Sequence, residues 1–308
     1  MADRLTDKDR LLQSQRTGGT RLRVDIPRPR RRRLSIIQSI IIAGVLAAAV
    51  CAMVWGFLAE LPAGPEFGTK LEGSFPVAQP FPARIRLANY NIHGGRGRDG
   101  RKDLGRIAHN LQGIHFAGLN EVHDPGTGNT PGQAELLGRE LQSNWLFAPT
   151  EWCWRGEHFG SAAVSHLPVD YWQRIPLENK KAAGYRNLIL FRIPLPQGKL
   201  HVVVTHLDRD KDREMQLRGV LDFFRSLEQP AILMGDLNTP RHDPILRQAI
   251  DSGAVQDCIS SQAKEDLPNR IDWILSRGIS SVSAGLIDEG ASDHPLVWAE
   301  FNVKSAAP

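Results

Sequence analysis

The sequence predicts an α/β sandwich, two packed β-sheets flanked by helices, preceded by a single N-terminal transmembrane helix. Three observations carry this expectation. A long uncharged apolar run lies between Leu34 and Ala59. From residue 84 onward, many short strand-like runs alternate with only a few helical patterns. Polar residues fall repeatedly at the C-terminal ends of those runs, where a sheet presents side chains at its edge.

The N-terminal tail, residues 1–33, holds eleven Lys and Arg against four acids, a balance of +7. The whole chain is +4, so residues 34–308 carry 27 basic against 30 acidic residues, or −3. The basicity belongs to the tail. At 41% hydrophobic residues the chain has enough apolar material for a sizeable core, which excludes a disordered protein. A tight grip on long nucleic acid usually needs a strong basic field, and the region after the tail has no net one.

Residues 34–59 contain no charge before Glu60, longer than the roughly 20 residues that cross a bilayer, with Trp55 placed as an interfacial aromatic. A cleaved signal peptide has a shorter apolar region of about 7–15 residues, and a core helix is rarely apolar on every face. An uncleaved anchor fits better. The cluster Arg28-Pro-Arg-Arg-Arg-Arg33 lies on one flank, and the other offers only Lys70 before Arg84. The positive-inside rule then puts the N-terminus in the cytoplasm and the remainder outside it, in a bacterial periplasm if the missing N-glycosylation acceptors are a guide. Residues 60–83, rich in Pro and Gly, read as a semi-rigid linker, and residues 84–303 as the catalytic domain. Cys51 falls in the span; Cys153 and Cys258 fit one disulfide or two separate thiols equally.

Within the domain, strands are expected at Ile85–Ile92, Phe116–Val122, Gly160–Ser165, Asn187–Ile193, Leu200–His206, Ala231–Leu237, Arg270–Leu275 and Leu296–Phe301. Leu104, Ile107, Leu111 and Ile114 recur at helical spacing, and further helices are expected at Gln133–Leu141, Asp212–Leu227 and Pro244–Ile250.

Asn91, Glu121, His206, Asp236 and Asn238 each sit at or just past the C-terminal end of an apolar run. Burying a charge without a partner costs several kcal/mol, so this repeated placement implies one shared pocket, hydrated or filled by a metal. Met234-Gly-Asp236-Leu-Asn238 and Ala291-Ser-Asp293-His294 together suggest a hydrolase that cleaves phosphate esters.

The ordered segments Asn89-Tyr-Asn91-Ile-His93, Leu119-Asn-Glu121-Val, Phe159-Gly-Ser-Ala-Ala-Val-Ser165, Val204-Thr-His206-Leu, Gly235-Asp236-Leu-Asn238, Arg270-Ile-Asp272-Trp-Ile and Ser292-Asp293-His294-Pro resemble the endonuclease/exonuclease/phosphatase superfamily with its DNase I-like fold. The resemblance covers about residues 84–302. It implies a divalent-metal-dependent hydrolase of phosphate esters using Mg²⁺, or Mn²⁺ or Ca²⁺ in its place, the cations that hard oxygen ligands favour. It also implies Glu121 as metal ligand with Asn91 beside it and Asp293 as a direct or water-mediated ligand. Asp236 takes the role of activating water, Asn238 of holding phosphate or nucleophile, and His206 and His294 of donating to the phosphoryl oxygens. Asp272 orients His294 and keeps it protonated.

There are departures from the family pattern. Asn120 replaces a frequent Gln, Ser161 a frequent Asn, and Tyr185-Arg186 stands where some relatives supply a partner for the first histidine, here His206. His93 and the following Gly94-Gly-Arg96-Gly-Arg98 form either a phosphate-contacting or a simply solvated loop. His93, Arg96, Arg98 and Arg186 are therefore expected to bear on substrate choice. Trp145, Phe147, Trp152, Trp154 and Trp172 fit core packing better than contact with a bilayer.

The expected function is that of a membrane-anchored, extracytoplasmic phosphodiesterase or phosphatase acting on a phospholipid, a phosphorylated glycan or a small ester. An extracytoplasmic DNase I-like endonuclease is the alternative, disfavoured by charge. A catalytically silent membrane-bound binding module is the third reading, disfavoured by the complete set of motif residues.

Overall fold

The computed structural model describes residues 35–55, 66–126, 130–151, 157–180, 184–261 and 269–303. The first element, α1 (Ile36–Trp55), contains no charged residue and leaves Ile36, Ile37, Ile40, Val45 and Leu46 exposed. Ile36–Val54 is long and apolar enough to cross a membrane. Its start is fixed by a reciprocal capping pair: Ser35 N–H donates to Gln38 Oε1, and Gln38 N–H donates to Ser35 Oγ.

The described residues from Glu66 onward belong to a second compact unit, of two mixed sheets with helices on their outer faces. Its strands are β1 (Phe67–Gly68), β2 (Arg84–Asn91), β3 (Phe116–Asp124), β4 (Asn144–Glu151), β5 (His158–Ser165), β6 (Tyr171–Pro176) and β7 (Asn187–Pro194). Those that follow are β8 (Lys199–His206), β9 (Ala231–Asp236), β10 (Gln256–Asp257), β11 (Asp272–Arg277), β12 (Ser281–Ile287) and β13 (Leu296–Asn302). The helices are α2 (Leu104–Asn110), α3 (Gln133–Glu140), α4 (Arg213–Ser226) and α5 (Pro244–Asp251).

One sheet runs β1-β6-β7-β8-β9-β11-β10 and the other β12-β13-β2-β3-β5-β4. Each contains one parallel pair: β2 with β3, joined through α2, and β8 with β9, joined through α4. The other described pairings are antiparallel, and the sheets are completed from opposite ends of the chain. β1 extends the first sheet by pairing with β6, while β13 pairs with β2 in the second.

Side chains alternate across a strand, and the inner rows make the core between the sheets. Ile85 and Leu87 on β2, Phe116 on β3, Val202 and Val204 on β8, Ile232 and Met234 on β9, and Ile274 on β11 all belong to it. Phe116 meets Phe191 edge-on at 5.2 Å. Gly118 lies in the same row, and a Cβ there would come within 2.8 Å of Val204, so its missing side chain lets the sheets close. On the outer faces, Ile107, Leu111 and Leu137 pack against Ala88, Tyr90 and Leu119. Leu217, Val220, Leu221 and Phe224 of α4 pack against Val203, Leu233 and Trp273 on the other side.

Several expected elements are modified. The strand expected from Arg270 begins at Asp272 and runs on to Arg277, with Leu237 N–H donating to Ile271 O just ahead of the first paired residues. β4, β6 and β12 are additional strands, the first two interrupted or ended by Pro149 and Pro176 and the third an edge strand that mixes Ser, Ala and Gly with Val282, Leu286 and Ile287. The linker expected over residues 60–83 is partly folded onto the domain. Phe67–Gly68 pairs with β6, Leu71 is buried in the core, Glu72 bridges to Trp145, and Trp172 Nε1 donates to Lys70 O. Trp172 is buried and Trp145 and Phe147 are partly buried against the core, whereas Trp152, Trp154 and Cys153 lie outside the described residues. Cys258 is buried, and burial pushes its thiol up to about 11.

Candidate active site

The inner rows that build the core change character at one end. Ile85 and Leu87 are followed in the same row by Asn89 and Asn91; Phe116 and Gly118 by Asn120; Val202 and Val204 by His206; Ile232 and Met234 by Asp236. On β11, which runs the other way, Asp272 precedes Ile274. Register brings these ends together, with Asn91 opposite Asn120, His206 opposite Asp236, and Asp236 opposite Asp272.

Glu121 enters the group by a different route. Alternation would turn it away from Asn120, but the β3–β5 register shifts between Leu119 and Val122, and Glu121 adopts φ 55°. A bulge of this kind bends the strand and re-aims a side chain, at a cost in backbone strain. The re-aimed carboxylate accepts a hydrogen bond from Asn91 Nδ2 at 3.0 Å.

Asp236 is the focal point. Its Oδ2 lies 3.1 Å from Asn91 Nδ2, 3.5 Å from His206 Nε2 and 3.9 Å from His294 Nε2. Its Oδ1 accepts from Asn238 N–H at 2.9 Å, across a backbone turn in which Asn238 has φ 47°. Burial, then the Asp272 carboxylate alongside, push Asp236 up to about 7.

His294 Nδ1 is 2.7 Å from Asp272 Oδ2, and Asp272 Oδ1 accepts from Asn89 Nδ2 at 3.2 Å. Burial alone would lower the imidazole, but the Asp272 hydrogen bond and charge, with Asp236 and Asp293, outweigh it and hold His294 up to about 9. Burial also pushes Asp272 up, against the pull of His294 and Arg270. With two donors on its oxygens and the Arg270 guanidinium behind it, the pair is described as imidazolium with carboxylate. Arg270 is itself buried, donates to Asp272 O at 3.1 Å and to Asp257 Oδ2 at 2.7 Å, and stacks on Trp273.

His206 is held in the opposite state. Burial, then the charges of Arg186 and His294, keep it well below its ordinary value, so its ring is neutral. Asn238 Nδ2 lies 3.3 Å from its Nε2 and donates to Leu207 O at 3.0 Å. Phe159 covers one side, its ring 6.5 Å from the His206 ring and 5.7 Å from the Arg186 guanidinium.

The structure therefore brings Asn91, Glu121, His206, Asp236, Asn238, Asp272 and His294 into one group. Asp293 is more exposed and sits beside His93, with Nδ1 to Oδ1 at 3.4 Å. Arg186 donates to Tyr185 O at 3.1 Å and is near enough to His206 for its charge to be felt there. Arg96 and Arg98 are engaged elsewhere, Arg96 with Gly100 O and Arg98 with Asp288.

Sequence reasoning missed the supporting residues Asn89, Arg270 and Ser292, and treated Asn120 only as a departure. Asn120 ties the sheets together. Its Oδ1 accepts from Asp236 N–H at 3.1 Å and its Nδ2 donates to Thr205 O at 3.1 Å. Ser292 Oγ donates to Asn91 O at 2.7 Å. The inner-row position of Asn89, two residues before Asn91, was the available signal.

Two donor sets could receive a divalent ion. One is Glu121 with its neighbours; the other is Asp236, Asp272 and His294, whose ligand atoms all lie within 4.8 Å of one another. The second set is internally satisfied by the Asp272–His294 bond and by the amide donors to both carboxylates. Glu121, reached by one amide donor and partly exposed, is the better fit for a hard cation. Asn91 presents Nδ2 to both carboxylates while its Oδ1 accepts from His93 N–H at 3.1 Å. In this orientation it holds Glu121 in place, and ligation through Oδ1 requires the amide to turn over.

The sequence profile described as "Endonuclease/Exonuclease/phosphatase family" matches residues 88–294, from the middle of β2 to His294 itself. Among solved structures, an endonuclease/exonuclease/phosphatase from Beutenbergia cavernae is similar with 23% identity and a TM-score of 0.61, covering 73% of each chain. A mannosyl-6-phosphatase from Bacteroides thetaiotaomicron shares 17% identity at a TM-score of 0.54, covering 70% of this chain and 99% of its own. TDP2 from Caenorhabditis elegans shares 17% identity at 0.52, covering 71% and 74%. Among curated proteins, none matches the chain.

Proposed function

From the premise that the chain belongs to the endonuclease/exonuclease/phosphatase family, whose members are phosphoester hydrolases, we propose that it is a membrane-anchored, extracytoplasmic, divalent-metal-dependent phosphodiesterase or phosphatase. Its substrate is a phospholipid, a phosphorylated glycan or a small phosphate ester. The observation that carries the reading is the Asp236 carboxylate, poised near neutrality and ringed by Asn91, His206 and His294. A phosphate group seated against those donors meets a base and a cationic imidazole at once.

Asp236 accepts a proton from a water molecule, whose oxygen attacks phosphorus while the bond to the ester oxygen breaks; the departing oxygen takes a proton from solvent and Asp236 returns its own to solvent. Asn238 positions that water against Asp236. The His294 imidazolium, held by Asp272, and the neutral His206 donate to phosphoryl oxygens as negative charge develops on them. Glu121, steadied by Asn91, would hold Mg²⁺, Mn²⁺ or Ca²⁺, with Asp293 as a direct or water-mediated ligand, and the bound ion would neutralise phosphoryl charge. Every other step uses groups already placed by the inner rows of the sheets.

Anchoring rests on the apolar helix Ile36–Val54, and the extracytoplasmic side on the Arg28-to-Arg33 cluster that precedes it. A phosphatase reading is favoured by the structural likeness to the mannosyl-6-phosphatase, and a long nucleic acid is disfavoured by the −3 balance after the tail. The test is Mg²⁺-dependent hydrolysis by the full chain in detergent, run on p-nitrophenyl phosphate, bis-p-nitrophenyl phosphate, phospholipid vesicles and plasmid DNA, with Asp236→Ala as control. Small-ester or lipid turnover by the wild type alone supports the reading. DNA cleavage alone would transfer the protein to the nucleases, and metal-insensitive turnover in both forms would end the assignment.

A further inference from the structure

A cavity of about 470 Å³ opens directly beside the Asp272–His294 pair, lined by Asn269, Ile271, Leu286, Asp293, His294 and Pro295 among others. Its size is that of a small-molecule subsite. Three of those residues, Ile271, Leu286 and Pro295, give it apolar walls that continue outward from the imidazole. Leu286 is the telling member. It lies on the edge strand β12 and remains 36% exposed, among the large hydrophobic side chains that the domain leaves uncovered.

The charges around the cavity decide what it receives. Arg270 lines it, but its guanidinium is turned inward to Asp257 and the Asp272 carbonyl, and its side chain is only 3% exposed. Asp293 stands at the rim, and Asp288 close by in sequence is already paired with Arg98. His294 is the one described cation facing this space and is taken by the reacting phosphate, so a second phosphate would find no partner among the described residues and would be repelled by Asp293. An uncharged apolar group meets neither penalty and covers Leu286.

Building on the phosphoesterase reading, we infer that the cavity beside His294 is a subsite for an apolar alcohol portion of the substrate, so the enzyme acts on phosphate esters carrying an alkyl or lipid-like chain. The reacting phosphate sits against His294 and Asp236, and the chain lies along Ile271, Leu286 and Pro295. Burying even part of such a chain is worth at least a tenfold gain in specificity.

The test uses the full chain in detergent with two esters that release the same chromophore, p-nitrophenyl octyl phosphate and p-nitrophenyl 2-hydroxyethyl phosphate, both below micellar concentration. The wild type is expected to favour the octyl ester at least tenfold in kcat/KM. The neutral polar variant Leu286→Asn lowers kcat/KM for the octyl ester at least tenfold more than for the 2-hydroxyethyl ester, while Leu286→Met keeps the wild-type preference. Equal treatment of both esters by the wild type, or parallel loss of both in Leu286→Asn, overturns the subsite and leaves the phosphoesterase reading standing. Binding of octyl phosphate against inorganic phosphate, measured by calorimetry on Asp236→Asn, separates the two ideas. A Leu286-dependent preference for octyl phosphate without turnover in the wild type keeps the subsite and removes the phosphoesterase reading; no preference removes the subsite. Vesicles of a long-chain phospholipid against the soluble octyl ester then distinguish a membrane source of the chain from a soluble one.

Discussion

Asp272 and His294 come from segments twenty-two residues apart, yet their side chains meet at 2.7 Å in a buried corner where a second carboxylate, Asp236, stands directly across the strand pair. The contact holds the imidazole charged up to about 9. A group raised in this way keeps its proton below that value and loses it as pH rises through it. Activity that needs the imidazolium is therefore expected to fall on the alkaline side near 9, and in Asp272→Asn the fall moves toward the ordinary histidine range. Turnover near neutral pH drops by roughly 10²–10⁴ in that variant. A pH profile of kcat/KM for both proteins checks this; an unmoved alkaline limb would break the link.

Asp236 carries the opposite signature. Burial raises it to about 7, so its folded state prefers a proton, and the ionised form costs stability once pH climbs from about 4 through 7. Asp236→Asn is expected to lose turnover by at least roughly a thousandfold and yet melt roughly 2–4 °C higher than wild type at pH 8. The gap narrows toward pH 4. Thermal melts at the two pH values with activity assays check this, and a variant less stable at pH 8 would count against the ionised form being strained.

Glu121 is held at φ 55°, a region where alanine pays a backbone cost that glycine avoids. Glu121→Gly is therefore expected to be more stable than Glu121→Ala by about 1 kcal/mol, the reverse of the usual order inside a strand. Both variants need much higher Mg²⁺ for any turnover. Chemical denaturation of the pair, alongside Mg²⁺ titration of activity, reads out both effects.

Much of this was legible before any coordinates. The alternation in Ile85–Asn91 and the apolar runs ending in His206 and Asp236 specify strands and which end of them is polar, since a buried charge demands company. The ordered motifs then place Asp272 and His294 beside them. What the sequence hid follows from non-local physics. Glu121 faces the site only because of a bulge whose register depends on its pairing with β5. The state of His206 depends on its burial and then on the charge of Arg186, neither of which is local in the chain, and Arg270 shows itself as a support for Asp272 only once Asp257 is seen beside it. β12, a sheet edge whose Ser281, Ser283, Ala284 and Gly285 break any apolar alternation, has too weak a pattern to be read alone. Residues 67–72 look like linker because their pairing partners, in β6 and at Trp145, lie far downstream.

The way the sheets are completed constrains how this domain can be taken apart. A cut between β5 and β6 would give an N-terminal piece holding β1, which belongs with β6, and a C-terminal piece holding β12 and β13, which belong with β2. Neither piece owns a whole sheet, and each ends in an unpaired strand edge that the other is shaped to cover. Asn91 and Glu121 would travel with one piece and His206, Asp236, Asp272 and His294 with the other. Such fragments are complementary halves of one lock, each holding part of the candidate site and neither the whole of it.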